Sequence, residues 1–295
     1  MNAIGPNAPT LPAQPPLPFA AAQDYEELVL GWARTQVLPD DVVAMRDRAY
    51  GPDLMQRYDT YRRRDLRDAP ILVFWHGGGW TNGYKEYVSF MADAVTRLGM
   101  VLVAPGYRLA PEHPLPAGFD DALAALRHVI DHAGELGGRR DRIYLAGHSA
   151  GGHLAALAAL RQADAQRAGV DTSAIRACLP ISGIMDLHHP QPAPGSMEER
   201  IYTMVLGDAF DDAAMSPLCW TAENQLPFLL SFGDSDSERV ARSNRRMASL
   251  LAMQEGTCRL DIEQDMDHFM THTRLRDPAA PWYQRLQAIV QETLP

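Results

Sequence analysis

The segment Gly147-His148-Ser149-Ala150-Gly151 lies between an apolar run that ends at Ala146 and a segment of small residues that begins at Gly152. The apolar run predicts a strand, and the small-residue segment predicts a tightly packed helix. A direct connection between two such elements needs a sharp turn, and the glycines on either side of the serine remove side chains that would clash there. The sequence therefore predicts a strand–turn–helix unit that projects the Ser149 hydroxyl outward.

From Tyr58 onward, strand-like and helix-like segments alternate. Continuous apolar runs of the kind found in strands covered on both faces occur at 71–75, 100–104, 142–147, 177–181 and 227–232, and an alternating run follows at 258–262. Helical spacing is seen at 87–98, 119–130, 150–162, 238–253 and 282–292. This rhythm predicts an α/β fold with a mostly parallel central sheet and helices on both faces.

Two parts of the chain depart from the alternation. Residues 1–22 carry a proline-rich stretch and predict an extended arm. Residues 23–50 predict a helical cap at the start of a single domain that spans 23–295. Residues 186–217 are rich in Pro, Met and His and interrupt the rhythm. Because long irregular segments in compact domains are often functional, this insertion is a candidate lid.

Charge and cysteine content argue against several classes of partner. A formal net charge of −10 disfavours nucleic acid and anionic membranes as partners. The cysteines Cys178, Cys219 and Cys258 have no paired spacing, which disfavours a disulfide framework or a zinc site. Neither a signal peptide nor an apolar run of about 20 residues is visible. We therefore expect a cytoplasmic protein with a small-molecule substrate, while the oligomeric state, a homodimer included, stays open.

Glycines follow the first predicted inner strand. The segment His76-Gly77-Gly78-Gly79-Trp80 comes directly after the run at 71–75, and ligand sites in parallel sheets lie at the carboxyl ends of the strands. A glycine-rich segment lets backbone N–H groups approach a substrate oxygen closely. The N–H groups of this glycine-rich segment, together with that of Ala150, are therefore predicted to form an oxyanion hole.

A base and an acid are found past the last two predicted strands. His268 follows the strand near 258–263, and Asp234 and Asp236 follow the run at 227–232. The chain order serine, acid, histidine fits a nucleophile whose proton passes to an imidazole that an aspartate orients. Asp236 is favoured because it directly precedes the next helix, and Asp234 remains the alternative. His272 is a weaker competitor for the role of His268.

The segments 76–80, 107–114 and 147–154 together resemble the α/β-hydrolase superfamily, in particular its kynurenine formamidase-like and hormone-sensitive-lipase-like esterases. The resemblance covers roughly residues 50–275. It implies Ser149, Asp236 and His268 as catalytic residues, Gly78, Gly79 and Ala150 at the oxyanion hole, and no metal or organic cofactor. Trp80, His148 and Tyr202 are candidate substrate contacts.

The resemblance divides between the two branches. Hormone-sensitive-lipase-like enzymes usually carry an aspartate before the nucleophile and an Asp-Pro-Leu acid loop, whereas this chain has His148 and Gly233-Asp234-Ser235-Asp236. These features resemble the formamidase side, and segment 107–114 resembles the other. We therefore expect a metal-free serine hydrolase that cleaves a carboxylic ester or an aryl-formamide through an acyl-enzyme. A carboxylesterase of short-chain esters, an acyltransferase and a non-catalytic binding protein are the alternatives.

Overall fold

The computed structural model describes residues 11–293, which form one sheet flanked by helices on both faces. The strands are β1 Val42–Ala49, β2 Arg57–Arg63, β3 Ala69–Trp75, β4 Val101–Pro105, β5 Gly138–His148, β6 Ile175–Ile181, β7 Phe228–Gly233 and β8 Cys258–Glu263. They are arranged in the order β1-β2-β4-β3-β5-β6-β7-β8. Only the pairs β1–β2 and β2–β4 are antiparallel, so the described sheet is mostly parallel, as the alternation predicts.

The α-helices are α1 Ala20–Thr35, α2 Ala92–Arg97, α3 Ala117–Asp131, α4 Ala150–Leu160, α5 Gln162–Arg167, α6 Met197–Arg200, α7 Glu238–Leu251, α8 Met270–Thr273 and α9 Pro281–Glu292. A 3-10 helix, Lys85–Met91, precedes α2 and replaces the first half of the helix predicted at 87–98. No helix in the described part of the chain is long and apolar enough to cross a membrane.

The sheet separates two apolar cores. In β3, Ile71, Val73 and Trp75 pack on one face, while Leu72 and Phe74 pack on the other. Side chains of a strand alternate between the two faces of a sheet, so an inner strand that is covered on both must be apolar throughout. Helices α3, α4 and α7 cover the first face, and α1, α2 and α9 cover the second.

The predicted helical cap at 23–50 is wrong in its second half. Helix α1 ends at Thr35, and residues 42–49 form strand β1 at the edge of the sheet. Val42 pairs with Arg63 of β2, and a register shift follows between Met45 and Arg48. Antiparallel pairing satisfies the backbone of this segment, and the β-branched residues at its start suit a strand.

The N-terminal arm is shorter than predicted, and the insertion contains a short helical segment. Residues 1–10 of the arm lie outside the described part, and α1 begins at Ala20, inside the predicted arm. Within 186–217, α6 continues into a π-helical turn, Ile201–Val205, whose ends are buried in the core. The insertion is therefore packed onto the body of the protein through this segment.

Candidate active site

Ser149 lies at the tip of a sharp turn between β5 and α4. Its backbone has φ 54° and ψ −117°, a conformation that a non-glycine residue rarely adopts. A Cβ on Gly147 would lie 2.4 Å from the carbonyl carbon of Gly151, and one on Gly151 would lie 2.1 Å from the carbonyl oxygen of Trp75. Both glycines are needed because backbone approaches backbone at this turn. The turn predicted from the sequence is confirmed.

A continuous hydrogen-bonded chain runs from Ser149 to Asp236. His268 Nε2 lies 2.8 Å from Ser149 Oγ, and His268 Nδ1 lies 2.9 Å from Asp236 Oδ1. A carboxylate only accepts hydrogen bonds, so Nδ1 carries the proton and Nε2 is free to accept that of the serine hydroxyl. This is the geometry that transfers a proton from a hydroxyl to an imidazole during nucleophilic attack.

Asp236 is held as a carboxylate, although its side chain is completely buried. Burial by itself would raise the pKa of this carboxyl, but the hydrogen bond and charge of His268 and the Ser237 N–H, 2.7 Å from Oδ1, hold it below the ordinary value. Asp234 is exposed, and its Oδ1 accepts from the Met266 N–H at 3.2 Å. Of the two aspartates left open by the sequence, only Asp236 is hydrogen bonded to His268 within the described chain.

The loop that carries His268 is fixed by two local contacts. The Asp267 carboxylate accepts from the N–H groups of Phe269, at 2.9 Å, and Met270, at 2.7 Å, and so fixes the start of α8. The His148 Nε2–H donates to the carbonyl of His268 at 2.7 Å. His148 is the residue before the serine, so this contact ties the serine turn directly to the histidine loop.

A stack of buried rings lies behind His268. The His148 ring is stacked on that of His272, with centroids 5.0 Å apart, and the His272 ring is also stacked on that of Phe74, with centroids 5.3 Å apart. Nδ1 of His272 is hydrogen bonded to the hydroxyl of Tyr25, which comes from α1. Burial, together with the charge of His268, lowers the pKa of His148 to about 3. His272 therefore supports the site from below and does not compete with His268 for the serine.

The glycine loop after β3 lies against the serine turn. A Cβ on Gly77 would lie 3.2 Å from that of Ser149, and one on Gly78 would lie 1.9 Å from the carbonyl oxygen of Asn82, where φ is +130°. The N–H groups of Gly78, Gly79 and Ala150 have no protein acceptor within residues 11–293. Three free N–H donors beside a nucleophile can stabilise an oxyanion.

Segment 107–114 braces the glycine loop. The Tyr107 hydroxyl donates to the carbonyl of His76 at 3.1 Å, and the two rings stack with centroids 4.4 Å apart. The N–H of Ala110 donates to the carbonyl of Trp80 at 2.9 Å. This second motif therefore positions the first.

A cavity of about 280 Å³ opens beside Ser149 and His268. Its wall is mainly apolar and includes residues from the N-terminal arm, the glycine loop, the insertion and α7. The lining residues are Leu17, Pro18, Phe19, Ala22, Tyr25, Gly78, Gly79, Trp80, Thr81, Tyr87, His148, Ser149, Ile184, Met197, Ser237, Arg239, His268 and Phe269. A small acyl group and a modest leaving group fit such a volume.

A family model described as the alpha/beta hydrolase fold matches residues 72–272, which include the serine turn, the glycine loop, the aspartate and the histidine. The chain belongs to the alpha/beta hydrolase fold family.

Curated relatives of this α/β hydrolase carry esterase names. The carboxylesterase NlhH of Mycobacterium tuberculosis is 48% identical over 91 residues, which are 30% of this chain and 28% of the relative. The esterase LipC of the same organism is 30% identical over 235 residues, which are 72% of this chain and 58% of the relative. The chain thus spans between about a quarter and three fifths of the length of these two relatives.

Solved structures support the same fold. An esterase from Pyrobaculum calidifontis matches with a TM-score of 0.75 and 23% identity, covering 92% of both chains. The thermophilic carboxylesterase EstE1, from a metagenomic library, matches with a TM-score of 0.73 and 22% identity, covering 93% of this chain and 96% of that one. The expected α/β-hydrolase fold is therefore confirmed. The preference for the formamidase branch finds no support among these relatives, which are named esterases.

The three candidate substrate contacts are placed differently in this α/β hydrolase. Trp80 and His148 line the cavity. Tyr202 does not: its hydroxyl donates to Asp212 Oδ2 at 2.7 Å and accepts from the His189 N–H at 2.7 Å. Its polar group is used inside the insertion, so the expected substrate contact of Tyr202 is corrected to a structural role.

Several residues that line the cavity were not predicted from the sequence. Leu17, Phe19 and Tyr25 come from the arm and α1, far along the chain from the serine, and no motif marks them. Arg239 is one charged residue among many in a helix-like segment. Only its place three residues after Asp236 could have indicated that it lies near the site. Within the described residues, no three His, Cys, Asp or Glu side chains are grouped to hold a metal ion.

Proposed function

We propose that this α/β hydrolase is a carboxylesterase that cleaves short-chain esters through an acyl-enzyme. The observation that carries the proposal is the hydrogen-bonded chain Ser149–His268–Asp236 beside a small, mainly apolar cavity. The esterase names of the relatives favour an ester over the aryl-formamide. The modest volume of the cavity, about 280 Å³, favours a short acyl chain.

In the first half-reaction, Ser149 Oγ attacks the ester carbonyl carbon while His268 Nε2 takes the hydroxyl proton. The negative charge on the carbonyl oxygen is stabilised by N–H groups of Gly78, Gly79 and Ala150. When the C–O bond to the alcohol breaks, His268 returns the proton to the leaving oxygen, and the alcohol departs. Asp236 stabilises the imidazolium that forms between these two steps.

In the second half-reaction, water enters at the place of the alcohol. His268 Nε2 takes a proton from the water as its oxygen attacks the acyl carbon. The tetrahedral intermediate collapses, the bond to Ser149 Oγ breaks, and the proton passes back to the serine. The carboxylic acid is released and the free enzyme is restored.

Hydrolysis of p-nitrophenyl esters from acetate to decanoate tests this function. We expect turnover that is highest for the short acyl chains, and a fluorophosphonate should label Ser149. Ser149→Ala should lower kcat by about 10⁶-fold, as removal of a serine nucleophile does. Ser173→Ala is a matched control, because this serine is exposed on the surface, and it should keep full activity.

An aryl-formamide, such as N-formylkynurenine, belongs in the same assay. We expect it to be a poorer substrate than the acetate and butyrate esters. A strong preference for the formamide would replace the proposal with a formamidase. Full ester turnover by Ser149→Ala, or binding of all these compounds without release of acid, would overturn the proposal of a serine esterase.

A further inference from the structure

Among the described residues, one arginine lines the catalytic cavity. Arg239 is the second residue of α7, three residues after Asp236, and it lines the cavity together with Ser149 and His268. Its side chain is 14% exposed, which is unusual for a residue type that is rarely buried without a partner. No acidic side chain of the described chain is among the residues that line this cavity.

The guanidinium of Arg239 is incompletely paired. Its nearest carboxylate is that of Glu198 in α6, at 3.6 Å from Nε, beyond hydrogen-bond distance, and Glu198 is itself 30% exposed. Nη1 is buried and has no hydrogen-bond partner among residues 11–293. Burial lowers the pKa of the guanidinium, while the charges of Glu198 and Asp236 oppose this effect. An arginine stays protonated in proteins, so a buried cation with an unused donor remains in the wall.

A buried, unpaired donor is unfavourable, and an anion that reaches it satisfies both its charge and its hydrogen bond. Asp236 is not that anion in this structure: its Oδ1 is bonded to His268 and Ser237, and within residues 11–293 its buried Oδ2 forms no hydrogen bond with Arg239. The other lining side chains are apolar or neutral groups, apart from the two histidines. The partner that fits Arg239 is therefore a carboxylate that arrives with the substrate.

We propose that Arg239 is a specificity-determining residue that binds a carboxylate on the non-reacting part of the ester. The inference rests on the proposed esterase function and narrows its substrate class to anionic esters. The carboxylate can belong to the acyl part, as in a dicarboxylic acid monoester, or to the alcohol part, as in an ester of a hydroxy acid. Both present the same group to the guanidinium.

Two pairs of esters separate these sources. For the acyl side, mono-4-nitrophenyl adipate is compared with neutral 4-nitrophenyl hexanoate, which has the same chain length. For the alcohol side, 3-carboxyphenyl butyrate is compared with phenyl butyrate by titration of the released acid. The wild-type enzyme should prefer the anionic member of one pair, and that pair identifies the side on which the carboxylate lies.

Arg239→Met is the decisive variant, since it keeps the length of the side chain and removes its charge. For the preferred anionic ester, kcat/KM should fall about 10- to 100-fold, mainly through a higher KM. For the neutral ester, it should change less than about threefold, which also shows that the variant is folded. For the anionic ester, kcat/KM of Arg239→Lys should lie between the values of the wild type and Arg239→Met, because lysine keeps the charge without the bidentate geometry.

Arg242→Met is the matched control, because this arginine is on the same helix but exposed. Its kcat/KM should equal that of the wild-type enzyme for both members of each pair of esters. Equal effects of Arg239→Met on the neutral and anionic esters would overturn the inference and leave the esterase function standing. If the wild-type enzyme hydrolyses none of the four esters, the esterase function itself fails, and the inference falls with it.

Discussion

At the scale of single residues, the site depends on backbone positions that few residue types tolerate. Ser149 keeps a positive φ only because Gly147 and Gly151 let strand, turn and helix approach one another. Gly78 lies so close to the carbonyl of Asn82 that any side chain would displace the glycine loop. The nucleophile and its free N–H donors are thus positioned by close backbone contacts.

The two neighbouring aspartates provide a residue-scale prediction. Asp236→Asn should lower kcat for p-nitrophenyl butyrate by about 10³–10⁴-fold, because an amide cannot stabilise the imidazolium or fix the tautomer of His268. Asp234→Asn is the matched control: it keeps a carbonyl acceptor for the Met266 N–H and should stay within about threefold of wild type. A large loss in Asp234→Asn with normal kcat in Asp236→Asn would reverse the assignment.

The site residues that follow strands could be predicted from the sequence. The site residues that reach the cavity from helices could not. Ser149, His268 and the glycine loop each follow a predicted strand, and a parallel sheet brings such strand ends together. Tyr25 and Arg239 reach the cavity from helices whose sequence only shows that they are amphipathic or charged. Their position depends on how the helices pack, which local patterns do not encode.

At the scale of elements, the same contrast appears between inner and edge strands. The inner strands β3 and β4 are covered on both faces and read as continuous apolar runs. Strand β1 is half-buried to exposed along most of its length and contains Arg46, Asp47 and Arg48, so its sequence lacks that signal. Only pairing with β2 makes it a strand, and pairing is a tertiary property.

The N-terminal arm is an element whose role the sequence left open. The Gln14 side-chain amide donates to the carbonyl of Gly83 and accepts from its N–H, both at 2.7 Å. Asn82 Nδ2 donates to the carbonyl of Pro15 at 2.6 Å. These hydrogen bonds hold the arm against residues 82–83, which follow the glycine loop. Leu17 and Phe19, a few residues further along the arm, line the cavity.

Removal of the hydrogen bonds between the arm and Gly83 should weaken substrate binding more than it lowers kcat. Gln14→Ala removes two hydrogen bonds, each worth roughly 0.5–1.5 kcal/mol, and should raise KM for p-nitrophenyl hexanoate about 5- to 10-fold with kcat within about threefold. Gln23→Ala, on the exposed face of α1, is the control and should behave as wild type. An unchanged KM in Gln14→Ala would mean that the arm does not contribute to the binding wall.

At the scale of the whole molecule, the sheet gathers four buried histidines around the serine turn. His148 precedes Ser149, and the N–H of His153 donates to the carbonyl of Ser149 at 3.0 Å. His76 begins the glycine loop, and His272 stacks on His148. Burial lowers the pKa of His76 and His153 to about 4, and that of His272 well below its ordinary value of 6.5.

These four histidines should make the folded state sensitive to acid. Below pH 6.5 the unfolded chain binds protons on them while the folded chain does not, so the free energy of unfolding falls as pH falls towards about 4. Each histidine changes the free energy of unfolding by up to ~1.4 kcal/mol per pH unit in that window.

We expect the urea midpoint of unfolding to decrease steeply from pH 6.5 to 4.5. His153→Gln, whose amide can still bond Trp80 and Met215, should reduce the slope, whereas Gln23→Ala, at an exposed position without a titratable group, should not. A midpoint independent of pH across this window would show that these imidazoles are protonated in the folded protein.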